Sequence, residues 1–303
     1  MPKSTALIIV NPTAGRGRAG KSIDAIKKLL PVAPYEWEWY QTTRPGDAEA
    51  AARASVIKGV EFIVAVGGDG TLHEVVNGVL GSNATIGLIP FGTGNDLARA
   101  LGLYGSLEIA CDALVNGPTV RADVGKIRGH GTEDERHFLV ICGTGFIAST
   151  AKTVNQGVRF LSGALAYVWG AIVTLWHFKP FILTVRTEHG ERCTTAMFVS
   201  VSNVATTGGG MQIAPDAAMN DGVLDICLVA KVGKIALLRQ LANVFKGTHV
   251  NHPAVEMIQA QRIELIADPP QPLLIDGEVL GTTPATISIL PGALKIKAAV
   301  GKY

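Results

Sequence analysis

Residues 61–74 read EFIVAVGGDGTLHE, and the step from Val66 into Gly67 decides the fold. Glu61–Val66 has the apolar continuity of a buried parallel strand, and Leu72–Leu80 has the pattern of a helix. Between them stand Gly67, Gly68, Asp69 and Gly70. Glycines leave backbone N–H groups unshielded, and a helix start adds its dipole, so a glycine turn running into a helix is a ready phosphate site. Thr71 and Glu74 spell T-x-x-E, which predicts a capping box at that start. A tight turn needs glycine only for its dihedrals. Three glycines and an aspartate exceed that need, and phosphate binding is the expectation.

One strand later the logic repeats. Thr85–Pro90 reads as a strand and runs into FGTGNDLAR, where Gly92, Thr93 and Gly94 make a loop and Asn95 or Asp96 is expected to cap a helix over Asp96–Leu101. Two glycine loops at adjacent strand ends converge on one crevice, where parallel sheets bind ligands.

The N-terminal stretch LIIVNPTAGRGRAGKS (residues 7–22) matches two other patterns, and both fail. Gly15, Gly20, Lys21 and Ser22 fit a P-loop, but Asn11, Pro12, Thr13 and Ala14 separate the strand from the first glycine. The aspartate that would hold magnesium lies in a turn, at Asp69, rather than at a strand end. Gly15, Gly17 and Gly20 fit the dinucleotide fingerprint, with Glu36 or Glu38 at the acidic position, and suffer from the same displacement. Lys21 and Ser22 are then expected in the first turns of a helix over Ala19–Leu30.

Strands at Thr5–Val10 and Tyr35–Tyr40 and a helix at Asp47–Lys58 complete an α/β domain with a parallel sheet. After about Val120 strand-like runs follow one another: 120–126, 137–143, 181–186, 194–203, 224–228, 262–267, 272–275 and 286–290. Only Gly157–His177 and Ile235–Phe245 look helical there. The expected second domain is mostly antiparallel β, and Leu294–Val300 fits either domain.

The chain of 303 residues is 48% hydrophobic and 17% charged, with a net charge of +2, which gives no general drive toward nucleic acid. Cys111, Cys142, Cys193 and Cys227 form no C-x-x-C pair and are expected to be buried free thiols. The N-terminal apolar run is too short for a signal peptide, so a cytoplasmic location is expected. Phe160–Trp176 carries no charge, lies between Arg159 and Lys179, and is too short and glycine-broken to span a bilayer. It is either core or the lining of a lipid site.

NPTAG (Asn11–Gly15), GGDGT (Gly67–Thr71), GTGNDLAR (Gly92–Arg99) and a late DGE (Asp276–Glu278) together resemble the diacylglycerol kinase catalytic family, in its bacterial lipid kinase branch, related to sphingosine kinases. GGDGT alone is shared with NAD kinases and phosphofructokinases. The resemblance implies an NAD kinase/diacylglycerol kinase-like fold: an α/β ATP-binding domain over 1–122, onto which 291–303 packs back, and a β-sandwich lipid-substrate domain over 123–290. It implies nucleotide contacts from Asn11, Pro12, Gly15, Thr42, Gly67, Gly68, Asp69, Gly70, Thr71, Thr93 and Asn95. It also implies a magnesium site at Asp221 with the backbone oxygens of Ala218 and Val223. Asp276 and Glu278 would supply the catalytic base, with the choice between them open.

The expected function is an ATP- and Mg2+-dependent lipid kinase, peripheral to the membrane, with a lipid substrate and a homodimer left open. Arg159, Lys179 and Arg186 would meet an anionic surface. The rivals are an NAD kinase-like enzyme and a non-enzymatic lipid-binding regulator on the same scaffold.

Overall fold

The computed structural model describes residues 4–31, 33–132, 135–157 and 164–301. The chain divides into two compact units, Met1–Ala122 with Gly292–Tyr303, and Asp123–Pro291.

The first unit alternates strand and helix: β1 (Ser4–Val10), α1 (Ala14–Lys21), α2 (Ile23–Leu29), β2 (Tyr35–Gln41), α3 (Asp47–Ile57), β3 (Phe62–Gly67), α4 (Asp69–Val79), β4 (Thr85–Pro90), α5 (Asp96–Ala100) and α6 (Leu107–Asn116). β1 pairs in parallel with β2 and β3, and β3 pairs in parallel with β4. Lys295 and Ile296, near the chain's end, add a parallel partner to β4. Every residue of β3 is buried, which is why its sequence is continuously apolar rather than alternating. Ala6, Ile8, Val10, Phe62, Val64 and Val66 form one core with Ile26 of α2 and with Ala110 and Leu114 of α6. Each fully buried Ile or Val there contributes roughly 1.5–3 kcal/mol. α3 and α4 pack on each other at Gly78, where a Cβ would stand 2.6 Å from the Glu49 carbonyl oxygen.

The expected single helix over 19–30 is two helices meeting at Ser22, and the residues before it are not helical: Gly15, Arg16 and Gly17 take positive φ of 60, 62 and 85°. The sequence reading missed α6, whose Ser106 caps it by accepting the Ile109 N–H at 3.3 Å.

The second unit begins within β5 (Thr119–His130) and continues with β6 (Arg136–Phe138), β7 (Ile141–Gly145), α7 (Phe146–Gly157), α8 (Ala164–His177), β8 (Phe181–Thr187) and β9 (Gly190–Ser202). β10 (Leu224–Ala230), α9 (Lys234–Val244), β11 (Val255–Ala260), β12 (Arg262–Asp268), β13 (Pro272–Ile275) and β14 (Glu278–Lys297) follow. Its pairings are antiparallel and close a circuit: β9 to β7, β7 to β13, β13 to β14, β14 to β12, β12 to β8, and β8 back to β9. β10 and β11 extend it from β9. β8 and β12 show the period-two burial that places Leu183, Val185, Ile263 and Leu265 in a common core.

Three expectations for this half are corrected. Residues 137–143 are not one strand, because the β6–β7 corner interrupts them; residues 286–290 are the middle of the long β14; and α7 and β11 were unforeseen. Of the uncharged stretch, 160–163 and Arg159 lie outside the described residues, and the remainder is α8. Among the described residues no helix is long and apolar enough to cross a membrane. The cysteines are free, but Cys193 is exposed, since it falls in the solvent-facing first half of β9.

Candidate active site

In the first unit the glycine turn is tighter than the capping-box expectation allowed. Gly68 is extended, with φ −96° and ψ −171°, and helix α4 starts at Asp69, so Thr71 already lies inside its first turn. No side chain caps α4. The buried Thr71 hydroxyl instead accepts from Asn11 Nδ2 at 3.2 Å, and Glu74 Oε2 accepts the Ala48 N–H at 3.1 Å. The box fails because the Asp-Gly-Thr segment is itself helical, which moves Thr71 and Glu74 beyond capping positions.

The two glycine loops pack backbone against backbone. A Cβ on Gly92 would stand 2.8 Å from the Gly68 Cα, and one on Gly67 would stand 2.4 Å from Thr71 Oγ1. Asp69 ties the loops together, its Oδ2 accepting the Asn95 N–H at 3.0 Å. Burial raises the Asp69 pKa, opposed by N–H groups of Asn95, Asp69 and Asp96 and by the Arg99 charge. Asn95 occupies the cap position of α5 in left-handed backbone, but its side chain turns back to donate to the Gly92 carbonyl at 2.9 Å. Asn95 does not cap α5 through its side chain.

The Asn-Pro loop lies beside them. Asn11 donates its N–H to Val66 and accepts both the N–H and hydroxyl of Thr13, at 3.1 and 2.8 Å. The Pro12 carbonyl accepts the Gly20 N–H. Gly15 is required at its position, since a Cβ would stand 2.4 Å from the Phe91 carbonyl oxygen. Lys21 is exposed at the end of α1, not in its first turn, and the Ser22 hydroxyl donates to the Arg18 carbonyl at 2.9 Å.

Asn11, Thr13, Thr42, Gly70 and Thr71 line one cavity of about 250 Å³, with Thr43, Arg44 and Glu74, which sequence reasoning did not place at a nucleotide site. Pro12, Gly15, Gly67, Gly68, Asp69, Thr93 and Asn95 are not part of that lining. The Thr43–Arg44 turn is held by Asp47, whose Oδ2 accepts the Thr43 N–H and hydroxyl at 2.8 Å and the Arg44 N–H at 3.1 Å. The Thr43 N–H leads in lowering the Asp47 pKa to about 2. A depressed carboxylate supports the turn at pH above about 4 and ceases to as pH falls toward 2. The signal was present in TTRPGD at the end of β2: an aspartate placed to collect the N–H groups of a preceding turn.

In the second unit Ile275 pairs with Glu278, so Asp276 and Gly277 form a two-residue hairpin with φ of 44 and 93°. The two carboxylates differ sharply. Asp276 Oδ2 accepts the Leu139 N–H at 2.7 Å, and Oδ1 accepts those of Val140 and Ile141 at 3.0 and 2.9 Å, which fixes the β6–β7 corner. Glu278 is exposed at the start of β14. Gly277 lies in the wall of an apolar cavity of about 110 Å³, lined also by Ile141, Ile147, Phe198 and Leu274. The Gly277 carbonyl accepts from Asn155 of α7 at 3.1 Å.

Around the expected magnesium position, Asp221 Oδ1 accepts the Val223 N–H at 3.1 Å, and Asp123 Oδ2 accepts the Gly222 N–H at 2.7 Å. The Asp225 carboxyl is pushed up to about 6, first by burial, against a hydrogen bond from Gln259, with the charges of Asp221 and Asp216 adding to it. Its Oδ2 is buried without a partner. Among the described residues no group of three or more His, Cys, Asp or Glu forms a metal cluster. One carboxylate with carbonyl oxygens, near two further acids that repel one another, is a donor set that fits a hard divalent cation.

An α/β unit with paired glycine loops, followed by an antiparallel unit carrying a carboxylate hairpin at an apolar cavity, is the make-up of a kinase with an apolar acceptor. Residues 5–127 match the model of the diacylglycerol kinase catalytic domain, and residues 140–298 match that of the YegS C-terminal NAD kinase beta sandwich-like domain. The diacylglycerol kinase of Bacillus subtilis (strain 168) is 31% identical over 92% of this chain and 91% of its own. That of Staphylococcus haemolyticus (strain JCSC1435) is 28% identical over 93% and 84%. A solved diacylglycerol kinase structure from Bacillus anthracis str. Sterne shares the fold, with a TM-score of 0.75 at 23% identity over 99% of this chain and 98% of that one. The chain belongs to the diacylglycerol kinase family, a family of lipid kinases.

Proposed function

We propose that the chain transfers the γ-phosphate of ATP, with Mg2+, to the hydroxyl of a diacylglycerol-like lipid. The observation that carries this is the apolar cavity with Gly277 of the carboxylate hairpin in its wall. A soluble nucleotide acceptor would have no use for such a lining, which disfavours an NAD kinase-like activity.

Residues 1–122, with 291–303, are read as the ATP-binding domain, and residues 123–290 as the lipid-substrate domain. Asn11, Thr42, Gly70 and Thr71 would meet the nucleotide directly. Pro12, Gly15, Gly67, Gly68, Asp69 and Asn95 would hold the loops in shape, and the exposed Thr93 would be free to reach the phosphates. Asp221, with the carbonyl oxygens of Ala218 and Val223, would hold Mg2+, which supplies neutralisation of phosphate charge. Of the two carboxylates, Glu278 is assigned the base because its oxygens are accessible to a substrate hydroxyl. Asp276 is assigned a positioning role because its oxygens already accept three N–H groups. The first domain would hold ATP as the phosphoryl donor, and Glu278 would orient the lipid hydroxyl and take its proton.

Membrane contact is assigned to α8. Leu165, Trp169, Ile172 and Trp176 recur at i, i+4, i+7 and i+11 and are 43–72% exposed. Ile235 and Leu238 of α9 are exposed too, and Lys234 Nζ donates to the Trp176 carbonyl at 2.9 Å. Tyr167, Ala171 and Leu175, on other faces of α8, line the cavity. Tryptophans with a nearby lysine suit a bilayer interface, so the enzyme is read as peripheral, on the cytoplasmic side. The double variant Trp169→Ser/Trp176→Ser is expected to weaken sedimentation with phosphatidylglycerol vesicles about tenfold; unchanged binding would remove α8 from the membrane face.

The test of the activity is transfer of label from γ-labelled ATP to diacylglycerol, phosphatidylglycerol, sphingosine or NAD. Label in a lipid supports the proposal. Label in NAD alone would overturn it, and label in no acceptor would favour the regulatory reading.

A further inference from the structure

The outer face of the second unit carries charge that the fold does not neutralise. Strands β8, β12, β14 and β5 neighbour one another in that order. Their period-two alternation turns Val185, Ile263, Ile287 and Ile127 into the core and the residues beside them outward. Lys126, Arg128, Arg186 and Arg262 thereby line one hollow of about 560 Å³. The acids of its wall are Glu135, Glu188 and Glu264, and its hydroxyls include those of Thr286 and Ser288. It shares no residue with either cavity described above.

All three acids are committed. Glu135 Oε1 takes Lys126 at 3.1 Å. Glu264 Oε2 takes Arg186 Nη1 at 3.2 Å, and Glu191 holds Arg186 Nε at 2.6 Å. Arg186, expected to meet an anionic surface, is thus spent within the sheet. Glu188 gives both oxygens to the backbone, accepting the Gln261 N–H at 2.6 Å and the Arg262 N–H at 3.1 Å. Among the described residues the guanidinium groups of Arg128 and Arg262 have neither an ion pair nor a hydrogen bond, and both side chains are exposed.

A lone exposed arginine is ordinarily just solvated. Two that line one hollow are another matter when β14 lies between their strands and sets Ser288 opposite Arg262. Strands two places apart lie about 10 Å from each other, a span that two arginine side chains reach across to grip one group. The guanidinium fork matches phosphate oxygens, and an anion between the two relieves their mutual repulsion. We infer that the hollow binds a soluble phosphate ester, its phosphate gripped by Arg128 and Arg262 and its polar remainder met by the Thr286 and Ser288 hydroxyls. The volume falls within the roughly 300–1,000 Å³ of small-molecule sites, room for more than phosphate alone. The rim selects a soluble ligand over a phospholipid headgroup. Its large apolar residues, Ile263 and Ile287, are 3% and 2% exposed, whereas a face that meets a bilayer exposes apolar side chains. The site stands apart from the phosphoryl transfer proposed above and does not depend on it.

The test is isothermal titration calorimetry of the full chain with glycerol 2-phosphate at fixed ionic strength, with a non-hydrolysable ATP analogue already present at saturation. The wild type is expected to bind the ester, and Arg128→Gln/Arg262→Gln to bind it at least about tenfold more weakly. Arg128→Lys/Arg262→Lys should fall between them, because it keeps the charge and loses the fork. Both arginines are exposed and hold nothing in the fold, so thermal melts of the variants should match the wild type. A wild type that binds no ester, or a double glutamine variant that binds it as the wild type does, overturns the inference. So does binding of vesicles of dioleoylphosphatidate and phosphatidylcholine that the double glutamine variant loses while neither protein binds glycerol 2-phosphate, which would make the hollow a bilayer contact.

Discussion

Glu278→Gln is expected to lower kcat about a thousandfold with little change in melting temperature, whereas Asp276→Asn lowers both. A general base positioned at a reacting hydroxyl contributes typically about 10²–10⁴ in rate. Gln keeps the shape of Glu278 and removes only its capacity to take a proton, and the exposed side chain holds nothing else that the fold needs. Asp276 is different. Its two oxygens accept three N–H groups, from Leu139, Val140 and Ile141. Asn offers one acceptor oxygen and sets an NH2 group against at least one of those donors, at a cost of about 2–3 kcal/mol. For a unit of this size that is roughly 5–10 °C in melting temperature. Activity falls as well, because the β6–β7 corner includes Ile141, which lines the cavity. Steady-state kinetics and thermal melts of the two variants check the division. An active Glu278→Gln beside an inactive but fully stable Asp276→Asn would exchange the two roles.

That division was not readable in the letters D-G-E. The pair was legible as a hairpin turn, and it is one: Asp276 and Gly277 make the turn, and Glu278 opens the next strand. What separates the carboxylates is a bond across 135–137 positions of sequence to a corner that reads, in isolation, as the middle of one strand. Long-range hydrogen bonds leave no local pattern. The same reason explains the first unit. Strands β1, β3 and β4 were plain from apolar continuity, and the glycine loops from composition, but whether Thr71 faced a cap or Asn11 depended on where α4 began. Gly68 settles that by being extended, and a glycine's dihedrals cannot be read from its letter. Thr43, Arg44 and Asp47 were missed because attention followed glycines, whereas that turn is built from side-chain acceptors. α7 was missed for a different reason: FIASTAKTVNQG mixes polar and β-branched residues, and its helix owes more to packing on α8, through Thr153 and Thr174 at 3.0 Å, than to propensity.

Gly67→Ala and Gly70→Ala are expected to part fold from binding within one motif. At Gly67 an added Cβ would stand 2.4 Å from Thr71 Oγ1 and 2.6 Å from its Cβ. Rotation of Thr71 cannot relieve a clash that includes its Cβ, so the end of β3 and the first turn of α4 must separate. Overpacking of this kind costs about 1–3 kcal/mol. It also pulls Thr71 from Asn11 and breaks the hydrogen bond between them. Melting temperature should fall by several degrees, and KM for ATP should rise about tenfold or more. Gly70 is the opposite case. It lies in the first turn of α4, has no positive φ, and a Cβ there would meet nothing within 4 Å. Alanine in a helix is favoured over glycine by about 0.5–1 kcal/mol, so stability should hold or rise. Yet Gly70 lines the cavity with Asn11, Thr42 and Thr71, and the open space beside it is the space assigned to phosphate. A methyl group occupies that space and shields the adjacent N–H, so KM for ATP should rise about tenfold in a protein at least as stable as the wild type. If Gly70→Ala binds ATP as the wild type does, the cavity among Asn11, Thr42 and Thr71 is not where the nucleotide sits.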